Sequence, residues 1–383
     1  MFNRNCLILA MATAFSFAEA ATITVNSGGN TLGSPTDNLC HLFEAIISSN
    51  TDTTSGDLIN FPNECAAGSG DDTIVFSVSG ITHPNQTMVI TENVTLSGDP
   101  NSFVSINGAI SLPHMLTIDG TGPNTLSNVK FEYLNFVNGG SGDSSESGAM
   151  LVKDAVVNID NSRFASNRGA FAGAIRATQN ASVNLSHCEF DGNISEGNGG
   201  AIALYESEAT IDQCRFYFNN AKGVSSPRNG GGGAISLQST SSLVVTNSLF
   251  EDNRAGNGNA TISQLEDGGA INVGASYNDV KIVNSTFSGN HSWDDGGAIY
   301  MNDIPQNDVN SSLTIINSTF TNNFAGLFGN AQSQKPQGGA LSIDDASNLM
   351  ISNSIFSGNT AHSEGKEIYI TSGTLVPDAG NLF

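Results

Sequence analysis

The chain has 383 residues and a formal net charge of −23, with an estimated isoelectric point of 4.3. An anionic surface of that size repels polyanions, so nucleic-acid binding is excluded as a working reading. An acidic polysaccharide would need bridging cations. Glycine is abundant at 42 residues, and helical spacing of apolar residues is absent, so a helical body is excluded as well.

Residues 1–20 read as an export leader: Arg4 in the charged region, an apolar run from Leu7 to Phe17, and Ala18-Glu19-Ala20 as a small-x-small cleavage site. The run is too short to span a bilayer. Residues 21–70 read as an N-terminal cap. It holds a strand over Thr22–Val25, a short helix over Leu39–Ser48 with Asp37 or Asn38 as N-cap, and a loop closed by cysteine. Cys40 and Cys65 flank this cap and are expected to bridge in an oxidising compartment. Short apolar segments at Thr73–Phe76, Met88–Ile90, Val94–Leu96, Val104–Ile106 and Met115–Ile118 read as irregular early coils, up to about residue 125.

From about residue 126 one phrase repeats. Phe-x-x-Asn recurs at Phe164, Phe190, Phe216, Phe250, Phe287, Phe320 and Phe356; Gly-Gly-Ala-Ile recurs, with variations, at Ala149, Ala174, Ala201, Ala234, Ala270, Ala298 and Ala340. The distance from Ile175 to Phe190 is nearly matched from Ile202 to Phe216, Ile235 to Phe250 and Leu341 to Phe356, whereas the stretch after each Asn varies in length. A constant segment beside a variable one is scaffold beside loop. The constant segment alternates, as in Val157/Ile159, Val183/Leu185 and Val280/Ile282 with polar residues between, which is the period of a half-buried strand. The Asn-Ser-x-Phe phrase that follows bends at Asn161, His187, Gln213, Asn247, Asn284, Asn317 and Asn353. The next Ser or Cys and the Phe then point inward, with Arg163, Glu189 and Arg215 outward.

These patterns predict an all-β fold: a right-handed, single-stranded parallel β-helix over residues 71–383 behind the N-terminal cap, with two or three short strands per coil and corners at the Asn and Gly-Gly positions. A β-propeller needs about four strands per repeat, more than the constant part supplies. Like side chains would stack in vertical ladders, Phe164 through Phe356 foremost. Cys188 and Cys214 share one inward column in adjacent coils, either bridged or as two buried thiols. No second Cys or His pair accompanies them, so they do not read as a metal site.

Both repeat motifs resemble the polymorphic outer membrane protein repeats over residues 136–370. Cys40-His41-Leu42-Phe43-Glu44-Ala45-Ile46, Cys65-Ala66-Ala67-Gly68-Ser69-Gly70, Asp72-Thr73-Ile74-Val75-Phe76 and Thr117-Ile118-Asp119-Gly120 resemble the CSLREA domain of secreted bacterial β-helix proteins. His41 and Phe43 replace the Ser and Arg of that motif. The resemblance implies a pectin-lyase-like fold and a protein that is secreted or held at the cell outer membrane surface. It carries little mechanism. No alternating ten-residue strands, sorting signal or transmembrane helix follow the repeats, so any membrane association is expected to be peripheral or through another protein.

Candidate chemistry is sparse. A lyase of the pectin-lyase-like class needs an Arg or Lys base beside carboxylate-bound Ca²⁺, and a hydrolase needs paired carboxylates. Acid pairs occur at Asp71-Asp72, Glu266-Asp267, Asp294-Asp295 and Asp344-Asp345. They are expected in different loops, as solvated turn carboxylates, with no Lys or Arg recurring beside them. The best ligand candidate is His291-Ser292-Trp293-Asp294-Asp295, which carries the lone Trp. Its indole could stack on a sugar, and Asp294 and Asp295 could take hydroxyls or Ca²⁺. The long stretches 221–231, 254–267 and 324–337 are expected to flank it as the contact surface. Asn-x-Ser/Thr sequons at Asn284 and Asn317 follow from the ladder itself and are not counted as glycosylation sites. The first functional reading is therefore a non-enzymatic exported β-helix presenting loops for adhesion to glycans or proteins. The alternative is a polysaccharide lyase or hydrolase. No cofactor is required other than a possible Ca²⁺, and nothing in the sequence specifies an oligomeric state.

Overall fold

The structure is a computed structural model. It describes residues 19–29, 37–53, 64–82, 86–108, 114–122, 126–140, 146–223, 231–256, 266–274, 277–302, 311–326, 335–344, 347–371, 373–377 and 380–383. Most of the leader, including Leu7–Phe17, lies outside these residues, as do the middles of the three long stretches expected to flank the ligand site.

Each regular coil contributes one strand to each of four parallel sheets. One coil runs through Ile175–Thr178, Ser182–Ser186, Glu189–Asp191 and Ile194–Ser195. The count is thus four strands per coil rather than two or three. The fourth is only two residues long, too short to show in an alternation pattern. Among the described residues, stacking gives a twelve-stranded sheet, two ten-stranded sheets and a seven-stranded sheet, with parallel pairing between neighbouring strands. The early coils, including a strand over Gly80–Thr82, join the first three sheets; the two-residue sheet starts at Arg168–Gly169.

The register is exact enough to align like with like. Phe164 pairs with Phe190, Phe190 with Phe216, Phe216 with Phe250, and so on to Phe356. From Phe164 to Phe356 the rings are buried and stack 4.6–4.9 Å apart, within 4° of parallel. That separation is the spacing of neighbouring strands. The expected bend is present: Asn161, His187, Gln213, Asn247, Asn284, Asn317 and Asn353 all have positive φ, between 45° and 52°.

The strongest ladder is the Asn of Phe-x-x-Asn. Asn193, Asn219, Asn253, Asn290 and Asn323 are fully buried. Asn219 shows the pattern. Its Nδ2 donates to Phe190 O at 2.9 Å and to Asn253 Oδ1 at 2.9 Å, while its Oδ1 accepts from the N and Nδ2 of Asn193, each at 3.0 Å. Both donors and both lone pairs of the amide are used, so a polar group in the core carries no desolvation debt. At the last coil Asn359 Nδ2 donates to Glu367 Oε2 at 2.6 Å. Glu367 stands where earlier coils have Ala, which accounts for the departure from Gly-Gly-Ala-Ile there.

The Gly-Gly corner has two separate causes. The first Gly takes positive φ, +67° at Gly268 and +63° at Gly296. A Cβ on the second would lie 2.1 Å from the next coil's carbonyl, as at Gly233 against Gly269 O and at Gly269 against Gly297 O. Cys188 and Cys214 are buried free thiols in the Ser column. The Cys188 N–H donates to Cys214 Sγ at 3.3 Å, as Ser248 N does to Ser285 Oγ at 3.2 Å. Burial first, then the Cys214 contact, hold the Cys188 thiol well above its ordinary pKa, so it is unreactive as a thiolate.

The cap helix runs Leu42–Thr51, three residues later than the expected Leu39–Ser48, with His41 rather than Asp37 or Asn38 as N-cap. The Glu44 carboxylate accepts the His41 backbone N–H at 2.9 Å, and Asp37 instead accepts from Leu39 N and from the His41 ring. Cys40 and Cys65 are disulfide-bonded.

Replacing Asn253 by Ala removes the buried acceptor shared by the Asn219 backbone N–H and Nδ2, and takes one of their donors from Phe216 O and from Asn290 Oδ1. Urea unfolding is expected to show a loss of about 3 kcal/mol or more. Thr210→Ala, on the exposed face of the long sheet, should stay within about 0.5 kcal/mol.

Candidate functional site

The Gly-Gly corner folds back over the outer face of the sheet it precedes. A Cβ on Gly296 would touch Ile299 O and Tyr300 N. The residue just before each corner is therefore carried over that face. Asp267 and Asp295 occupy this position in consecutive coils and Gln337 occupies it in the next. The Asp295 N–H donates to Asp267 Oδ1 at 3.1 Å, and the Gln337 N–H donates to Asp295 Oδ1 at 2.7 Å.

Carboxyls expected in separate solvated loops are thus brought together. Asp267, Asp294 and Asp295 each place an oxygen within 4.8 Å of the others. Asp344 joins electrostatically from the following coil, where Tyr300 Oη donates to its Oδ2 at 3.0 Å and Thr371 Oγ1 donates to its Oδ1 at 3.0 Å. Asp267 is 2% exposed and Asp294 is 7% exposed, so neither is a solvated turn acid. Asp345 lies outside the described residues. Asp71 and Asp72 sit apart, where the strand Asp72–Phe76 begins. The meeting of Asp267 and Asp295 was within reach of the sequence, since alignment on Gly-Gly-Ala-Ile superimposes them 28 residues apart, close to the 25 and 27 residues that separate Ala149, Ala174 and Ala201; only Asp344 lies beyond long insertions.

Like charges in a covered place cannot all ionise. Burial, then Asp294 and Asp295, push Asp267 well above the usual carboxylate range. Burial, then Asp344, raise Asp294 to about 6. Burial, then Asp294, raise Asp295 to about 7. Tyr300 is raised too, by burial and then by Asp267. Among the described residues no Lys or Arg ion-pairs with Asp267, Asp294 or Asp295. The group can therefore do two things: hold and pass protons near neutrality, or surround a hard cation. Ligands of one Ca²⁺ at about 2.4 Å can be no more than about 5 Å apart, and this spacing meets that limit.

The neighbouring candidates take other places. His291 Nε2–H donates to Gly326 O at 2.9 Å and its ring stacks on Phe324 at 5.1 Å; burial lowers its pKa. Trp293 is 6% exposed, with the Arg254 guanidinium 5.4 Å from its ring. Gly256 is required beside it, since a Cβ there would lie 1.7 Å from Trp293 Cδ1. An indole packed in this way has no open face for a sugar, although its Nε1–H has no acceptor among the described residues.

Residues 79–287, more than half of the chain, match the family described as right handed beta helix region, and the chain belongs to that family. Two solved structures of similar fold have low identity. An alginate lyase from Paenibacillus sp. str. FPU-7 is 14% identical at a TM-score of 0.45, covering 92% of this chain and 99% of that one. A catalytic domain of GH87 alpha-1,3-glucanase in complex with tetrasaccharides is 12% identical at 0.43, covering 93% and 69%. At that degree of overlap neither likeness carries an argument. No curated protein matches the chain in sequence.

The raised carboxyls fix the sign of a pH effect. A carboxyl whose folded pKa is raised costs stability above that pKa and nothing below its unfolded value, so stability falls between about pH 4 and pH 7. Asp295→Asn is expected to raise the melting temperature at pH 8 and to leave it unchanged at pH 4, read by thermal unfolding in calcium-free buffer.

Proposed function

We propose that this chain is an exported β-helix that hydrolyses a neutral polysaccharide at the Asp267–Asp294–Asp295 cluster. The observation that carries the proposal is the convergence of three carboxyls within 4.8 Å on the outer face of one sheet. Glycoside hydrolysis needs one carboxyl that keeps its proton near neutral pH and a second that is ionised beside it. Asp295, the more exposed and raised to about 7, suits the proton donor; Asp294, at about 6, suits the ionised partner. Asp267 positions Asp295 through its backbone N–H. Lyase chemistry is less well supported, because among the described residues no Lys or Arg pairs with these acids. An acidic polymer is disfavoured by the net charge of −23. The leader-like residues 1–20, the bonded Cys40 and Cys65, and the resemblance to CSLREA and polymorphic outer membrane protein repeats support secretion or display at the cell outer membrane surface.

A second reading, non-catalytic adhesion to glycans or proteins, is favoured by the cover over the cluster: Asp267 and Asp294 are nearly buried. In that case Ca²⁺ held by the three carboxylates would serve as a structural clamp.

A screen of neutral and acidic polysaccharides, with Ca²⁺ or with a chelator, separates the readings. Hydrolysis predicts new reducing ends without unsaturated sugars, and a loss of about a hundredfold or more for Asp294→Asn and for Asp295→Asn. Binding with no product would favour adhesion; unsaturated products would establish a lyase.

A further inference from the structure

Beside the cap, the strand Asp72–Phe76 begins with a buried carboxyl group that has no Lys or Arg partner among the described residues. Asp72 is 1% exposed. Its Oδ1 accepts from Ser69 N at 2.8 Å and from Ala21 N at 3.1 Å, while its Oδ2 is buried with no partner among the described residues. From Ala21 to Val129 the sequence contains no Lys or Arg, so no such side chain of the cap or early coils can neutralise it. The single Ala21 peptide N–H also reaches Ser69 O, at 3.3 Å, and is shared between two acceptors. Ala21 lies next to Thr22–Val25, the edge strand that opens the twelve-stranded sheet and pairs with Asp72–Phe76. Glu19 and Ala20 before it are exposed.

We propose that the Ala20–Ala21 bond is a processing site and that the ammonium group it creates on Ala21 seats on Asp72, locking the first strand of the solenoid. The inference rests on the export reading for its biological setting. Hydrolysis consumes one water: the C–N bond breaks, Ala20 departs with a carboxylate, and the Ala21 nitrogen becomes an ammonium with three N–H donors in place of one. Three donors serve Asp72 Oδ1, Ser69 O and the orphaned Asp72 Oδ2, and the new positive charge offsets a buried negative one.

The test compares a chain beginning at Ala21 with one beginning at Glu19, each with Asp72 and with Asp72→Asn. At about pH 7 the chain beginning at Ala21 should melt about 3 °C or more above the longer one. Asp72→Asn should erase that gap. Above about pH 10, where an α-amine is neutral, the gap should close even with Asp72 intact. This last comparison needs no substitution, so it stands if the Asn variant does not fold. A gap that is absent at pH 7, or unchanged at pH 10, overturns the pairing. Amino-terminal sequencing of the exported protein should begin at Ala21; any other first residue overturns the processing site while leaving the pairing measurement, and the hydrolase assignment, to be judged separately.

Discussion

The side-chain amide of the Phe-x-x-Asn residue is the constraint on which the rest depends. A file of buried Asn side chains, each bonded to the coil on either side, can exist only if consecutive coils keep the same phase. A slip of one residue would turn every amide out of the file and strand its partners in an apolar core. The Phe stack contributes the apolar counterpart, but rings tolerate sliding better than amides do. Register along the axis is therefore fixed chiefly by polar groups. Between those fixed points, insertions of very different length are admitted without disturbing the scaffold.

That division explains how a site can be assembled from residues far apart in sequence. Asp267 and Asp295 sit one position before the Gly-Gly corner in adjacent coils, and the Asn ladder holds those corners in line. The two Gly residues do the rest, one by its left-handed backbone and the other by leaving room for a neighbouring carbonyl. A stack that would ordinarily place neutral residues at this corner instead places carboxyls, with burial and mutual repulsion as the consequence. The resulting proton affinity is a property of the alignment, since none of the three acids is unusual in its local sequence.

Much of this was legible beforehand, and the limits have physical causes. The alternation of Val157/Ile159 and Val183/Leu185, with Phe at a fixed distance, was enough for the parallel solenoid, its inward faces and the bends at Asn161 or His187. A two-residue strand such as Ile194–Ser195 is too short to alternate. The cap helix was displaced because Glu44 closes it on His41, while Asp37 turns toward Leu39 and the His41 ring. His291 and Trp293 drew attention by composition, yet packing against Phe324 and Arg254 gives them local partners. The acid cluster was missed because each acid pair was assigned to its own solvated loop, although Asp267 and Asp295 hold the same place before their Gly-Gly corners; only Asp344 lies beyond long insertions.

The central claim is that coil alignment forces Asp267, Asp294 and Asp295 into one proton-sharing group. Carbon-13 NMR titration of the aspartate carboxyls tests it directly. The alignment predicts two groups titrating near 6 and 7, at Asp294 and Asp295, and a third, Asp267, that keeps its proton above the usual carboxylate range. Three ordinary titrations near pH 4 would show that these carboxyls do not meet, and would contradict the account.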